Sequence, residues 1–285
     1  MSRKAPPQVL AVALAAVTAA STGCSLTSDQ ETLMSSHEFT LSGNRLVIAA
    51  EGSTVELRES DVDAVSFDQY LAGDAASEGN ASWTVEGDNL LVETTCSGFT
   101  PGCSGRYAIT VPVGTAVELT GRGRRVTLIG LSGPVTASLD NGTIDASGTS
   151  GDLDLAARSG HIRTDDTSGS LTASITTNHM EIRRARGPLD LSSESGNLVV
   201  EDIRSSEVTT NTRSGDARLV FTEAPRRVEA TSEGSGNVHV TLPSGQESYQ
   251  VVTEAQRLRS DVEHDPASDR LISVTGTTVR LARDG

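Results

Sequence analysis

From Arg45 to Leu281 apolar and polar positions alternate in short segments, each closed by Gly, Asn, Asp or Ser. Arg45-Leu46-Val47-Ile48-Ala49, Thr54-Val55-Glu56-Leu57-Arg58 and Ala64-Val65-Ser66-Phe67 are the first of them. Ala81-Ser82-Trp83-Thr84-Val85, Leu90-Leu91-Val92-Glu93 and Tyr107-Ala108-Ile109-Thr110-Val111-Pro112 follow. A period of two, bounded by turn residues, predicts β-strands with one buried side. Apolar residues at helical spacing are not sustained anywhere after residue 20.

A longer period overlies the shorter one. Gly133, Gly151, Gly169 and Gly187 stand 18 residues apart, as do Gly142, Gly160, Asn178 and Gly196, and Gly215 and Gly236 extend the second series with slight lengthening. The apolar columns Val135–Leu153–Leu171–Leu189 and Ile144–Ile162–Met180–Leu198 keep the same interval. Coincident glycine and apolar columns at a fixed short period are the signature of a solenoid. Each unit holds two short strands, such as Leu153-Asp154-Leu155-Ala156-Ala157 and Ile162-Arg163-Thr164. One unit cannot bury its apolar side alone; stacking at about 4.8 Å per rung makes a continuous core. Ala137, Ala157 and Ala173 suit a narrow interior. Glycine at the corners is expected for its tolerance of positive φ, with Asn178 as the usual substitute. The predicted fold is therefore an all-β solenoid, resembling a parallel β-helix, with rungs of 18 residues and two or three sheet faces per rung. Asp145, Arg163 and Glu181 fall in one outward column with alternating sign, which favours that register.

The N-terminus reads differently. Arg3 and Lys4 precede an apolar run from Val9 to Ala20, too short to span a membrane comfortably, and Ser21-Thr22-Gly23-Cys24 follows. Residues 1–23 are read as an export signal. The segment before Cys24 resembles a lipobox, with Ser21 where that pattern prefers Leu, and a lipidated Cys24 would anchor the chain to the outer face of the cytoplasmic membrane. The alternative is ordinary cleavage and secretion. Cysteine arithmetic favours lipidation: Cys96 and Cys103 are close enough in sequence for a small disulfide outside the cytoplasm, leaving Cys24 as the odd thiol. Residues 24–36 are read as lipidated Cys and tether, 37–115 as strands forming the first part of one stack, and 116–285 as repeat solenoid closed by C-terminal cap strands around Leu271–Val274 and Thr278–Leu281.

Composition supports this. Of 285 residues only 3% are aromatic, while Gly numbers 27. The formal net charge is −15, and removal of residues 1–23 takes away Arg3 and Lys4 to leave −17. Lys4 is the sole lysine. Such an acidic balance argues against nucleic acid and against electrostatic docking on anionic lipid.

Several phrases in order resemble the bacterial putative-adhesin family, a domain of unknown function common in extracytoplasmic proteins. They are Ile109-Thr110-Val111-Pro112-Val113-Gly114, the Ser-Gly-Asx-apolar steps at Ser195, Ser214 and Ser235, Val240-Thr241-Leu242-Pro243 followed by Tyr249-Gln250-Val251, and the segment Ile272 to Leu281. The matching features span roughly residues 39–281, and the resemblance implies a β-solenoid of parallel strands outside the cytoplasm. The Cys96–Cys103 pair departs from many members.

Chemistry-bearing motifs are sparse. GxSxG, the P-loop, GxGxxG, HExxH and the calcium-binding Gly/Asp nonapeptide are missing. Asp165-Asp166 is the adjacent acidic pair of the regular repeats, at an expected corner. His161 and His179 lie one period apart, with Asn197 and Asp216 continuing their column; two stacked imidazoles are a weak metal candidate, since zinc takes three or four ligands. No catalytic residue and no cofactor is assigned. Three functions are ranked: a non-catalytic surface module binding a cell-wall glycan or an envelope protein, a carbohydrate-active envelope enzyme on a β-solenoid, and an accessory of a membrane or signalling system.

Overall fold

The computed structural model describes residues 32–96 and 102–284. In chain order its strands are β1 (Thr32–Phe39), β2 (Arg45–Glu51), β3 (Thr54–Ser60), β4 (Val65–Ala72), β5 (Ala81–Glu86), β6 (Asn89–Thr94), β7 (Ser104–Pro112), β8 (Ala116–Arg122), β9 (Arg125–Ile129) and β10 (Val135–Ser147). They continue as β11 (Leu153–Asp165), β12 (Leu171–Arg183), β13 (Leu189–Ser195), β14 (Leu198–Ile203), β15 (Glu207–Ser214), β16 (Ala217–Phe221), β17 (Arg227–Ser232), β18 (Asn237–Leu242), β19 (Gln250–Ser260) and β20 (Leu271–Arg283). One 3₁₀ turn, Gly73–Ala76, stands between β4 and β5.

The chain winds as a two-faced β-solenoid. On one face, face A, parallel strands stack as β6, β2, β8, the first half of β10, β11 and β12, then β13, β15, β17, and the first halves of β20 and β19. On the other, face B, the order is β7, β3, β9, the second halves of β10, β11 and β12, then β14, β16, β18 and the second halves of β20 and β19. The 18-residue columns are in register as the repeat requires: Val135 pairs Leu153, Leu153 pairs Leu171, and Leu171 pairs Leu189.

Alternate side chains enter the space between the faces and form one contiguous core from Leu46 to Leu281. Along face A its column runs Leu119, Ala137, Leu155, Ala173, Leu191, all buried. Large beside small suits a narrow interior. Full burial of a Leu or Ile contributes about 1.5–3 kcal/mol.

Both glycine columns crowd the backbone of the rung beneath, and they differ in φ. Gly142 and Gly160 have φ of 117° and 146°, and Asn178 has 83°, as the corner argument anticipates. Gly151, Gly169 and Gly187 are not among the positive-φ residues; a Cβ on Gly169 would instead lie 2.3 Å from the Gly151 carbonyl oxygen of the rung beneath. Close approach of stacked backbones, not left-handed φ, sets that column.

The ends depart from the simple order. At the C-terminus the chain passes over one rung to lay down β19, then returns through 261–270 to place β20 between β17/β18 and β19. The segments expected as closing strands are thus one continuous internal strand, and β19 is the outermost rung. At the N-terminus β2 and β3 sit inside β6 and β7 although they precede them. Antiparallel β5 covers β6, while β4 covers β7 and β1 covers β4. Thr32–Ser36, expected within the tether, belongs to β1. Its pairing is held by side chains too: Ser36 Oγ donates to Asp68 Oδ1 at 2.6 Å.

Candidate functional site

Strand alternation that sends Leu153 and Leu155 inward sends Asp154 and Ala156 outward, and stacking turns each outward position into a column. Face A carries Glu118, Thr136, Asp154, Thr172, Asp190, Thr209 and Glu229 in consecutive register. Beside it run Thr120, Ser138, Ala156, Ser174, Ser192 and Asn211. This face is a flat array of hydroxyls and carboxylates.

Face B carries a charge ladder. Asp145, Arg163 and Glu181 are register neighbours, and the Arg163 guanidinium lies 3.8 Å from Asp145 and 3.6 Å from Glu181. In the adjoining column Arg183 bridges to Glu181 and lies 3.8 Å from Glu201. These pairs are exposed, so each contributes a few tenths of a kcal/mol, up to about 1.

His161 and His179 are brought together as the period predicts, rings stacked 6.1 Å apart at 29°. Their column continues by hydrogen bonds, Asp216 N donating to Asn197 Oδ1 and Asn237 N to Asp216 Oδ1. Among the described residues no group of three or more His, Cys, Asp or Glu is placed to hold a metal ion. The pair supplies two ligands, fewer than zinc takes. Asp165 and Asp166 do not act as a pair. The first contacts Arg184, and the second, at φ 56°, lies 3.2 Å from Arg186.

Among the described residues four carboxylates shift, all downward, and each is engaged at a corner. Burial would raise Glu59, but hydrogen bonds from the Ser132 and Gly114 backbones and the Ser132 hydroxyl outweigh it. Asp152 is lowered by the Ser170 hydroxyl and backbone, Asp88 by the Ser42 backbone and hydroxyl. Asp265 is lowered first by the Ser248 hydroxyl and then by the Ala267 N–H. Carboxylates held this way tie rungs together; a general acid needs the opposite shift.

Cys96 and Cys103 form a disulfide with Cα atoms 5.9 Å apart. It joins the β6 exit to the β7 entrance and completes a small cluster with Leu71, Ala75 and Ala81 under the 3₁₀ turn. Cys24 lies outside the described residues. Among those residues no helix is long and apolar enough to cross a membrane.

A depression of about 530 Å³ at the C-terminal end is lined by Glu247, Asp261, Glu263, His264, Asp265 and Arg283. Two of its polar groups are spent on backbone: His264 Nδ1 accepts from Val251 N at 3.0 Å, and Arg283 donates to the Pro243 and Glu247 carbonyls.

One cluster escapes the sequence period. Arg218, His239, Arg280 and Arg259 are consecutive register partners on face B. The rungs that carry them have lengthened and, for β19 and β20, exchanged places, so no fixed interval links the four. The local signal was the alternation in Asn237-Val238-His239-Val240, Val279-Arg280-Leu281 and Arg257-Leu258-Arg259, each placing a His or Arg on the outward side.

Residues 43–270 match the model of the family described as Toastrack DUF4097. None of the curated proteins matches the chain. Among solved structures the chain is similar to a putative lipid binding protein from Parabacteroides distasonis ATCC 8503, with 13% identity and a TM-score of 0.53 over 88% of this chain and 96% of that one. It is similar also to a putative adhesin from Bacteroides fragilis NCTC 9343, with 14% identity and a TM-score of 0.41 over 90% and 98% of the two chains. For a putative adhesin from Parabacteroides merdae ATCC 43184 the values are 13%, 0.34, 87% and 95%. At such identity the first of these likenesses speaks to fold alone.

Proposed function

The chain belongs to the Toastrack DUF4097 family, and on that premise we propose that it is a non-catalytic, adhesin-like binding or scaffold module of the bacterial envelope, held outside the cytoplasm by a lipid on Cys24. The observation that carries this reading is the shape of the outward surface: two sheet faces with polar columns in register, joined by short corners. Repeated side chains at about 4.8 Å intervals suit a partner that is itself extended and repetitive, such as a cell-wall glycan. The direction in which its carboxylates shift supports a non-catalytic role, because three are spent on hydrogen bonds between rungs and the fourth, Asp265, on bonds between and within loops. The disulfide supports an oxidising compartment.

The test is binding of the purified protein to isolated cell wall of its own organism, with bovine serum albumin as control. Saturable binding that survives moderate salt is expected. Binding no stronger than that of albumin would sink the adhesive reading and leave the role of membrane accessory.

A further inference from the structure

Face B changes character along its length. Between Asp145 and Glu201 each cation has an anion in the next rung. From Arg218 onward the same side of the sheet presents Arg218, His239, Arg280 and Arg259 on four successive rungs, and Arg257 stands two residues from Arg259 on the same side of β19. Arg218 keeps one distant anion, Glu201 at 4.0 Å, which also serves Arg183. No described residue forms an ion pair with Arg257, Arg259 or Arg280, and all three are exposed. His239 is half-buried between its neighbours; burial and then the charges of Arg280 and Arg218 depress its pKa.

Like charges directly opposite one another across strands are destabilising. Nothing in the packing requires them, because the inward partners on these strands, Val238, Val240, Val279 and Leu281, already fill the core. A protein of net charge −15 that gathers cations in single file carries a local field opposite to its global one.

We propose that this row is a binding site for a linear polyanion carrying one carboxylate or phosphate per repeat, lying along the solenoid axis across β16, β18, β20 and β19. This deepens the reading of the chain as a surface binding module and rests on it. The row offers a guanidinium on three of its four rungs, with the His239 imidazole as a hydrogen-bonding group between Arg218 and Arg280, at about 4.8 Å per rung over roughly three rung steps. Guanidinium is the group suited to bidentate contact with carboxylate or phosphate. Nucleic acid fits less well, because the row has no aromatic side chain on which bases would stack, and the rest of the surface repels a second backbone.

The experiment is calorimetric titration of the full chain with sodium polygalacturonate and, separately, with poly(glycerol phosphate), at low and moderate salt. Duplex DNA is the third arm. At least one of the first two polymers is expected to bind, and the tighter one identifies the anion. Arg259→Gln with Arg280→Gln should weaken that binding about tenfold and flatten its salt dependence. Arg163→Gln with Arg183→Gln, in the alternating ladder, should leave it unchanged. Thermal unfolding of the first variant should be no lower than wild type, since a repulsion has been removed. If it is lower, Arg259→Lys with Arg280→Lys decides, and retained binding is then expected.

Unaltered affinity in the Gln variant, equal loss in the control variant, or DNA binding as tight as either polymer would each overturn the proposal. Cell-wall binding that persists undiminished in the Gln variant would overturn this site while leaving the module reading intact. Failure of wall binding in the wild type would remove that reading as well.

Discussion

From β10 to β12 each rung repeats the one beneath it at an interval of 18 residues, whereas at the N-terminal end the chain places β2 and β3 inside β6 and β7 and closes on antiparallel β1, β4 and β5. The middle is aliphatic, stacked Leu, Ile and Ala in register. The end is aromatic: Phe39, Phe67, Tyr70, Trp83 and Tyr107, five of the chain's eight aromatic residues, lie there. Phe67 and Trp83 meet edge to face at 5.2 Å, and His37 packs on Trp83 at 3.9 Å. Tyr107 is fully buried, its hydroxyl accepting from Gln69 Nε2 and donating to the Ser82 carbonyl. A middle rung has an identical neighbour on each side and needs only small shape corrections. A terminal rung has a neighbour on one side, so large rings and a disulfide cover what a next rung would have covered.

The contrast predicts where a single methyl group matters most. In the middle, backbones approach so closely that a Cβ on Gly160 would lie 1.6 Å from the Gly142 carbonyl oxygen, at a φ of 146°. Gly160→Ala should cost about 4 kcal/mol or more, because neighbouring rungs must separate to admit it. Gly148 has a φ of 62°, but a Cβ there would meet nothing within 4 Å. Gly148→Ala should therefore cost only the left-handed strain, about 1 kcal/mol. Denaturant midpoints of the two variants separate close approach from backbone conformation. Equal losses would mean that stacking distance is not the controlling term in the repeat.

The middle was legible in sequence because every column states its own evidence three or four times. The period located the strands, the inward Leu153 and Leu155, the alternating Asp145–Arg163–Glu181 column and the His161–His179 contact. It did not distinguish the two reasons for glycine, since Gly160 and Gly169 both crowd the carbonyl beneath and only Gly160 adds a positive φ. The ends were not legible because their solutions occur once. Exchange of β19 and β20 leaves no interval to detect, which is also why the Arg218–Arg259 row is hidden in the sequence. Thr32–Ser36 reads as tether because Leu33 and Met34, being exposed on an outer strand, break the alternation.

An intermediate effect is expected from the disulfide, the end's covalent device. Replacing Cys96 and Cys103 by Ser should cost about 2 kcal/mol, in keeping with a short closed loop. The loss should be local. Amide exchange should quicken in β4, β7 and the 3₁₀ turn, which share the Leu71–Ala75–Cys103 cluster, and stay slow in β11 and β12. Uniform acceleration along the chain would show that end and middle unfold as one unit.

The smallest effect lies at the junction of the two regions. Glu59, at the end of β3, accepts from Ser132 N at 2.9 Å and Gly114 N at 3.0 Å, and so ties an N-terminal rung to the corner that opens the first regular one. These bonds hold its pKa below the ordinary value of 4.5, against burial that raises it. A folded-state pKa below the unfolded one contributes stability that is fully present above the unfolded value and is lost as pH falls through the folded one. The carboxylate is largely solvated, so screening keeps the contribution under about 1 kcal/mol. Glu59→Gln should lower the neutral-pH denaturant midpoint slightly and bring it level with wild type once the pH lies well below 4.5. A difference that persists undiminished into acid would mean that the side chain's shape, not its charge, makes the junction.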